Sequence, residues 1–162
     1  MSVELVRGFL QQKGYERPIL EFSQSSATVE LAALAVGVEA ARIAKTLSLH
    51  DAEGCMLLVV AGDAKIDNSA FKKRFGMKAR MLTHEEALSM TGHAVGGVCP
   101  FALPEGTTVW LDESLQRFET VFPAAGSDNS AIELSPCELA RLSGGRWVDV
   151  CKGWRENTQS HV

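Results

Sequence analysis

The feature that most constrains this chain is the brevity of its patterned segments. From Lys45 onward, strand-like runs at 45–49, 56–61, 79–82, 107–111, 120–122, 131–134 and 147–150 follow one another with only short helices between them. A doubly wound parallel sheet needs a long crossover helix after each strand, and that alternation is missing. The expectation is an α+β fold: a mixed, largely antiparallel sheet or open barrel with short helices packed outside.

The helices announce themselves by their ends. The first runs from a Ser2 cap through the stripe Val6, Phe9 and Leu10 to Gly14, and Pro18 then opens a strand-like run at 19–22. The second follows the cluster Ser25, Ser26, Ala27 and Thr28, with Val29, Ala32, Ala33 and Val36 on one face and Gly37 as its stop. Thr83 with Glu86 reads as a capping box, and so does Ser135 with Glu138, there with Pro136 at the first helical position. Residues 1–152 read as one domain, and 153–162 as a polar, frayed tail.

Composition excludes several classes. A chain of 162 residues can bury roughly 70% of its unfolded surface without staples. Sixteen basic against twenty acidic residues leave a net charge of -4, which rules out a histone-like polycation but not a local basic patch. No apolar run approaches the ~20 residues of a membrane span. Glu4 and Arg7 interrupt the N-terminus, and no signal peptide is expected there. Cys55, Cys99, Cys137 and Cys151 lie far apart without a CxxC, which argues against a disulfide framework or zinc cage and for a reducing, cytoplasmic setting.

Several segments carry possible chemistry. On a strand at 45–49, Lys45 shares a face with Leu47 and Leu49. Burying that ammonium is costly unless it meets an anion or ligand; otherwise it snorkels to solvent. Gly96 and Gly97, with Val98, Cys99 and Pro100, form a tight loop whose amides can approach an anion or carbonyl oxygen, or simply a structural turn. The loop from Pro123 through Ser127, Asp128, Asn129 and Ser130 has small and polar groups suited to a ligand wall, and turn chemistry explains it equally. Lys72, Lys73, Arg74, Lys78 and Arg80 are five basic residues with no acid among them: a phosphate-binding patch or a solvated helix face. Cys99 has His93 nearby in sequence, which makes a thiol nucleophile conceivable, although buried cysteines are more often inert. The remaining histidines show no metal-ligand spacing.

Taken in order, the segments 26–32, 42–47, 61–67, 92–100, 123–127 and 132–135 resemble the YbaK/EbsC family, the prolyl-tRNA-synthetase-associated editing domain. The resemblance extends over about 2–152, so the chain is expected to be a freestanding editing domain. It implies trans-editing hydrolysis of the ester in a mischarged tRNA, one carrying a small amino acid such as Ala, Ser or Cys on tRNA-Pro. The family's signature lysine falls on Lys45 and its glycine-x-x-x-proline motif on Gly96 to Pro100. Catalysis would then use Lys45 with the loop amides of Gly97, Val98 and Cys99. Substrate contacts would come from Thr28, Gly96, Pro100, Ser127, Asp128, Asn129 and Ser130. The basic segment would bind tRNA, and prolyl-tRNA synthetase is a possible partner. No metal, organic cofactor, membrane or DNA is implied. Many relatives carry serine where Cys99 stands. Two alternatives remain: a non-catalytic module binding charged tRNA or a synthetase, and a thiol enzyme using Cys99.

Overall fold

A computed structural model describes residues 2–15, 17–52, 54–94 and 96–155, with Ser2 described by its backbone only. In chain order the elements are α1 (Ser2–Gln12), β1 (Leu20–Glu21), α2 (Val29–Val36), a 3₁₀ turn (Ala40–Arg42), β2 (Ile43–Asp51), β3 (Gly54–Ala61), β4 (Lys65–Ile66), α3 (Asn68–Phe75), α4 (His84–Thr91), β5 (Thr108–Asp112), a second 3₁₀ turn (Glu113–Arg117), β6 (Phe122–Pro123), β7 (Ser130–Ala131), α5 (Pro136–Ser143), β8 (Arg146–Val148) and β9 (Cys151–Lys152).

The centre is a mixed five-stranded sheet in the order β6-β2-β3-β5-β8. Its spine is the long antiparallel hairpin β2–β3, in register from Ala44 opposite Ala61 to Asp51 opposite Gly54. Strand β3 is buried from Cys55 to Ala61, the run expected of a strand covered on both faces. The small sheets β1–β7 and β4–β9 are also antiparallel. The hairpin's neighbours run parallel: β6 beside β2, β5 beside β3, and β8 beside β5. No single helix is long enough to make these crossings, so elements in series do it. The chain returns from β3 to β5 by way of β4, α3 and α4.

The helix ends are built as their residues dictate. Thr28 Oγ1 accepts from the Leu31 amide, and both capping boxes are closed. Ser2, expected as a cap, is instead the first helical residue. The run at 79–82 does not become a strand. It makes one bridge, Leu49 to Met81, because Thr83 starts α4 immediately afterward. The tail also begins later than its polarity indicated: Trp154 is buried, held by Arg117 over its ring, and the rest of the expected tail, 156–162, lies outside the described residues. One large core fills the molecule, and a second, smaller one of Ala32, Ile43 and Phe122 lies beneath α2. The space beside this lesser core is where the site forms.

Candidate functional site

Strand β2 is paired with β3 along its inner edge, but its outer edge is covered only at the ends. Strand β6 covers Ile43 and Ala44. At the far end, the His50 amide donates to Arg80 O (2.8 Å) and the Leu82 amide donates to Ser48 O (2.9 Å). In between, Lys45, Thr46 and Leu47 border a cavity of about 460 Å³. Thr28 and Ala32 wall it from α2, Gly96 and Val98 from the glycine loop, and Ser130 and Ala131 from β7.

Lys45 is half-buried on this edge and makes no ion pair among the described residues. Burial draws its ammonium below the ordinary lysine value, while the charges of Asp63 and Glu30 oppose that shift. A cation so placed is poised for an anionic or oxygen-rich ligand. Its neighbour Thr46 points to the opposite sheet face, where its Oγ1 is buried without a hydrogen-bond partner. Such an orphaned hydroxyl inside a cavity wall calls for a ligand or solvent partner.

The two loops singled out in the sequence meet directly. A Cβ on Gly97 would lie 2.6–2.7 Å from the backbone of Ser127, so only glycine permits this approach. Gly96 has φ 94° and sits against Ala27 and Asp128. The Gly97 amide is used within the turn, donating to Ala94 O (2.9 Å). No hydrogen bond among the described residues engages the Val98 or Cys99 amide. Val95, within this motif, lies outside the described residues.

His93 braces the loop from beneath. It is fully buried, and its Nε2 is 2.9 Å from Phe101 O, which can only accept; the proton is therefore on Nε2, and Nδ1 is buried without a partner. Burial lowers its pKa. Cys99 Sγ lies 3.6 Å from that same Nε2, a contact that six intervening positions did not announce. It is not an activated pair: the nitrogen facing the thiol already carries a proton. Cys99 is fully buried, and burial pushes its thiol up to about 12. The geometry argues against a Cys99 nucleophile.

Other expected residues are dispersed around this centre. Ser127 Oγ lies 2.8 Å from Asn129 Oδ1 and 2.8 Å from Ser130 Oγ, while Asn129 Nδ2 donates to Phe22 O and Asp128 O accepts from the Ser26 amide. Ser130 reaches the cavity wall; Ser127, Asp128 and Asn129 secure the loop behind it. Pro100 is buried and, like Gly97 and Cys99, does not line the cavity. Lys72, Lys73, Arg74, Lys78 and Arg80 are exposed and outside it, on the last turn of α3 and the segment that follows. Arg74 lies over the Trp110 ring, 5.0 Å from its centroid. Sequence reasoning passed over Thr46, Met81 and His84 as cavity residues. The spacing to Lys45 could have signalled Thr46; the other two reach the site only through the fold. Among the described residues no cluster of His, Cys, Asp and Glu could hold a metal ion, and no helix is long and apolar enough to cross a membrane.

Comparison with known proteins gives the chain relatives over most of its length. The chain is 53% identical over 156 residues to YwhH of Bacillus subtilis, an uncharacterized protein, covering 95% of this chain and 99% of that one. It is 26% identical over 138 residues to EbsC of Enterococcus faecalis, assigned as a candidate Cys-tRNA(Pro)/Cys-tRNA(Cys) deacylase, with 84% of each covered. Its fold superposes on the crystal structure of a candidate trans-editing enzyme for prolyl-tRNA synthetase with a TM-score of 0.86, at 31% identity and with 94% and 98% of the two chains covered. The family model for the aminoacyl-tRNA editing domain matches residues 23–142, a span that holds Lys45, the glycine loop and the Ser127–Ser130 turn. This chain therefore belongs to the aminoacyl-tRNA editing domain family.

Proposed function

We propose that the chain is a trans-editing deacylase that hydrolyses the ester of a tRNA charged with a small wrong amino acid, with tRNA-Pro as the acceptor. The carrying observation is Lys45: a half-buried ammonium without an ion pair among the described residues, on the wall of a cavity sized for an aminoacylated ribose. A synthetase pocket rejects an amino acid differing by one methylene by only about 1–3 kcal/mol, so a second site that admits small side chains supplies the missing selectivity.

In this reading Lys45 holds ribose or phosphate oxygens of the terminal nucleotide and orients the ester. Water attacks the carbonyl carbon, and the amide of Val98, the loop residue after Gly97 that lines the cavity, is the available donor for the developing oxyanion. Collapse expels the ribose oxygen, which takes up the proton and leaves free amino acid and tRNA. Among the described residues no carboxylate lines the cavity, His93 is sealed beneath the loop and His84 stands at the far end of the open edge from Lys45, so in this reading a ribose hydroxyl of the substrate relays the water's proton. The name given to EbsC makes cysteine a leading candidate amino acid; its own thiol could attack the ester in place of water. The basic residues from Lys72 to Arg80 would contact the tRNA backbone, and prolyl-tRNA synthetase would be the partner that supplies the mischarged product.

The test is a deacylation panel of tRNA-Pro charged with alanine, serine, cysteine, threonine and proline. Hydrolysis of one or more small amino acids with proline spared is the expected result. No turnover on any of them, with tRNA binding intact, would leave a binding module instead. Cys99→Ser should keep most of the rate; a loss of several orders of magnitude in a folded variant, with an acyl-thioester trapped on wild type, would restore the thiol mechanism.

A further inference from the structure

The segment that closes the far end of the β2 edge has no part in the chemistry above, yet it supplies two side chains to the cavity. We propose that Met81 and His84 form a seat for the terminal nucleobase of the tRNA, at the opposite end of the open edge from Lys45. The inference rests on the deacylase reading and adds a nucleoside subsite to it.

Both side chains line the cavity, and both are exposed, Met81 at 56%. The Met81 side chain stays open to solvent although its backbone is fixed on both sides. The Leu49–Met81 bridge, the Arg80 and Leu82 backbone bonds to β2, and the buried Leu82 side chain hold the segment against the sheet. The Thr83–Glu86 capping box then sets where His84 leaves α4. This is a firm platform with a flat imidazole and a polarizable thioether on its open side. Nucleobases stack on histidine as on other aromatic rings, and methionine adapts to irregular apolar surfaces.

The spacing fits the same ligand. Met81 lies opposite Leu49, four residues along β2 from Lys45, which is ~13 Å of strand. That matches an extended aminoacyl-nucleoside, with its ester at Lys45 and its base at Met81. Charge continues the line outward. Lys78 and Arg80 precede Met81 directly, and neither makes an ion pair among the described residues. The nearby acid, Glu86, is occupied by the Thr83 amide and stands 3.5 Å from His50. A single strand whose last base sits on the platform would lead its phosphates over these two cations.

The experiment uses the full chain and uncharged tRNA-Pro carrying 2-aminopurine as its terminal base, whose fluorescence is quenched by stacking. Wild type and His84→Phe should quench it. His84→Ala should lose the quench and weaken binding about tenfold, the scale of one base stack, and Met81→Ala should act in the same direction. A tRNA with 2-aminopurine within the acceptor stem should respond equally to all four proteins. Unchanged quenching in the His84→Ala, Met81→Ala double variant, or bound tRNA with no quench by wild type, would overturn the seat. Because the readout needs no turnover, a protein that quenches the base but hydrolyses no charged tRNA would refute the deacylase reading alone.

Discussion

Arg117 and Lys45 are both drawn away from solvent, one at the end of the 3₁₀ turn after β5 and the other on β2, and their surroundings are opposite. The Arg117 guanidinium grips both carboxylate oxygens of Asp63, donates from Nε to Ser114 O at 2.8 Å and lies over the rings of Phe118 and Trp154. Close by, the buried Asp112 accepts from the Ser114 and Val150 amides, one on each oxygen. Lys45 has no such partner among the described residues, its neighbour Thr46 leaves a buried hydroxyl unpaired, and both border the cavity. Polar groups satisfied by the protein itself hold the fold; in the deacylase reading, those left wanting on a cavity wall are reserved for what enters it.

The first way to break that comparison is to remove Arg117. Its pair with Asp63 is only 9% and 13% exposed, and deleting one partner of such a pair costs about 3–5 kcal/mol. Arg117→Met should lower the denaturant midpoint accordingly, with deacylation per folded molecule unchanged. A fall in turnover beyond the unfolded fraction would show that Asp63, once released, reaches the site through its field on Lys45.

Lys45→Ala should do the reverse. Turnover should fall ~100-fold or more, the scale of one preorganised electrostatic contact, while stability holds or rises. The sign follows from linkage: the folded-state pKa lies below the ordinary value of 10.5, so the charged form is disfavoured by folding, and that cost applies throughout neutral pH. Lys45→Arg should rescue poorly, because a planar guanidinium does not replace a point ammonium. Single-turnover assays beside thermal melts decide it: a rate within threefold of wild type removes Lys45 from the site, and simple unfolding makes it structural.

His93 stands between the two regions, satisfied on one nitrogen and orphaned on the other. His93→Phe keeps the volume but leaves Phe101 O without its donor, which costs about 1–3 kcal/mol. If the bond positions the loop, kcat should fall with KM little changed. Stability should also report the ring. The folded pKa lies below the ordinary 6.5, so unfolded chains take up the proton first; wild type should lose stability as pH falls below that value, and the variant should show a flatter acid limb. Parallel acid limbs would mean that the ring is protonated equally in both states.

Much of this was legible in the residues because it is local. Thr83 and Glu86, or Ser135, Pro136 and Glu138, fix helix starts within four positions. Lys45 was conspicuous because alternation placed it with Leu47 and Leu49. What escaped was contact across long sequence distance. Nothing near Gly97 states that its missing side chain makes room for the Ser127 backbone, nor near Asp63 that Arg117 will meet it. The parallel neighbours of the hairpin were hidden for the same reason, since the crossing from β3 to β5 is divided among β4, α3 and α4. His84 looked merely exposed; only the Leu49–Met81 bridge turns it toward the cavity.

The smallest expected effect tests whether the site side of the molecule also carries backbone strain. Ala102, immediately after the carbonyl that His93 holds, has φ 54°, the one positive value among described residues other than glycine. For an L-residue that conformation costs roughly 1–2 kcal/mol, and glycine avoids it while losing about 0.5–1 kcal/mol to its greater unfolded-state freedom. Ala102→Gly should therefore stabilise the protein by about 0.5–1 kcal/mol, seen as a modest rise in melting temperature. If the strain serves only to close the loop, kcat should stay at the wild-type level, because the His93–Phe101 bond still holds it. A stabilised variant with reduced kcat would mean instead that the strained residue helps to aim the Val98 amide, and that this region trades stability for geometry where the Arg117 region does not.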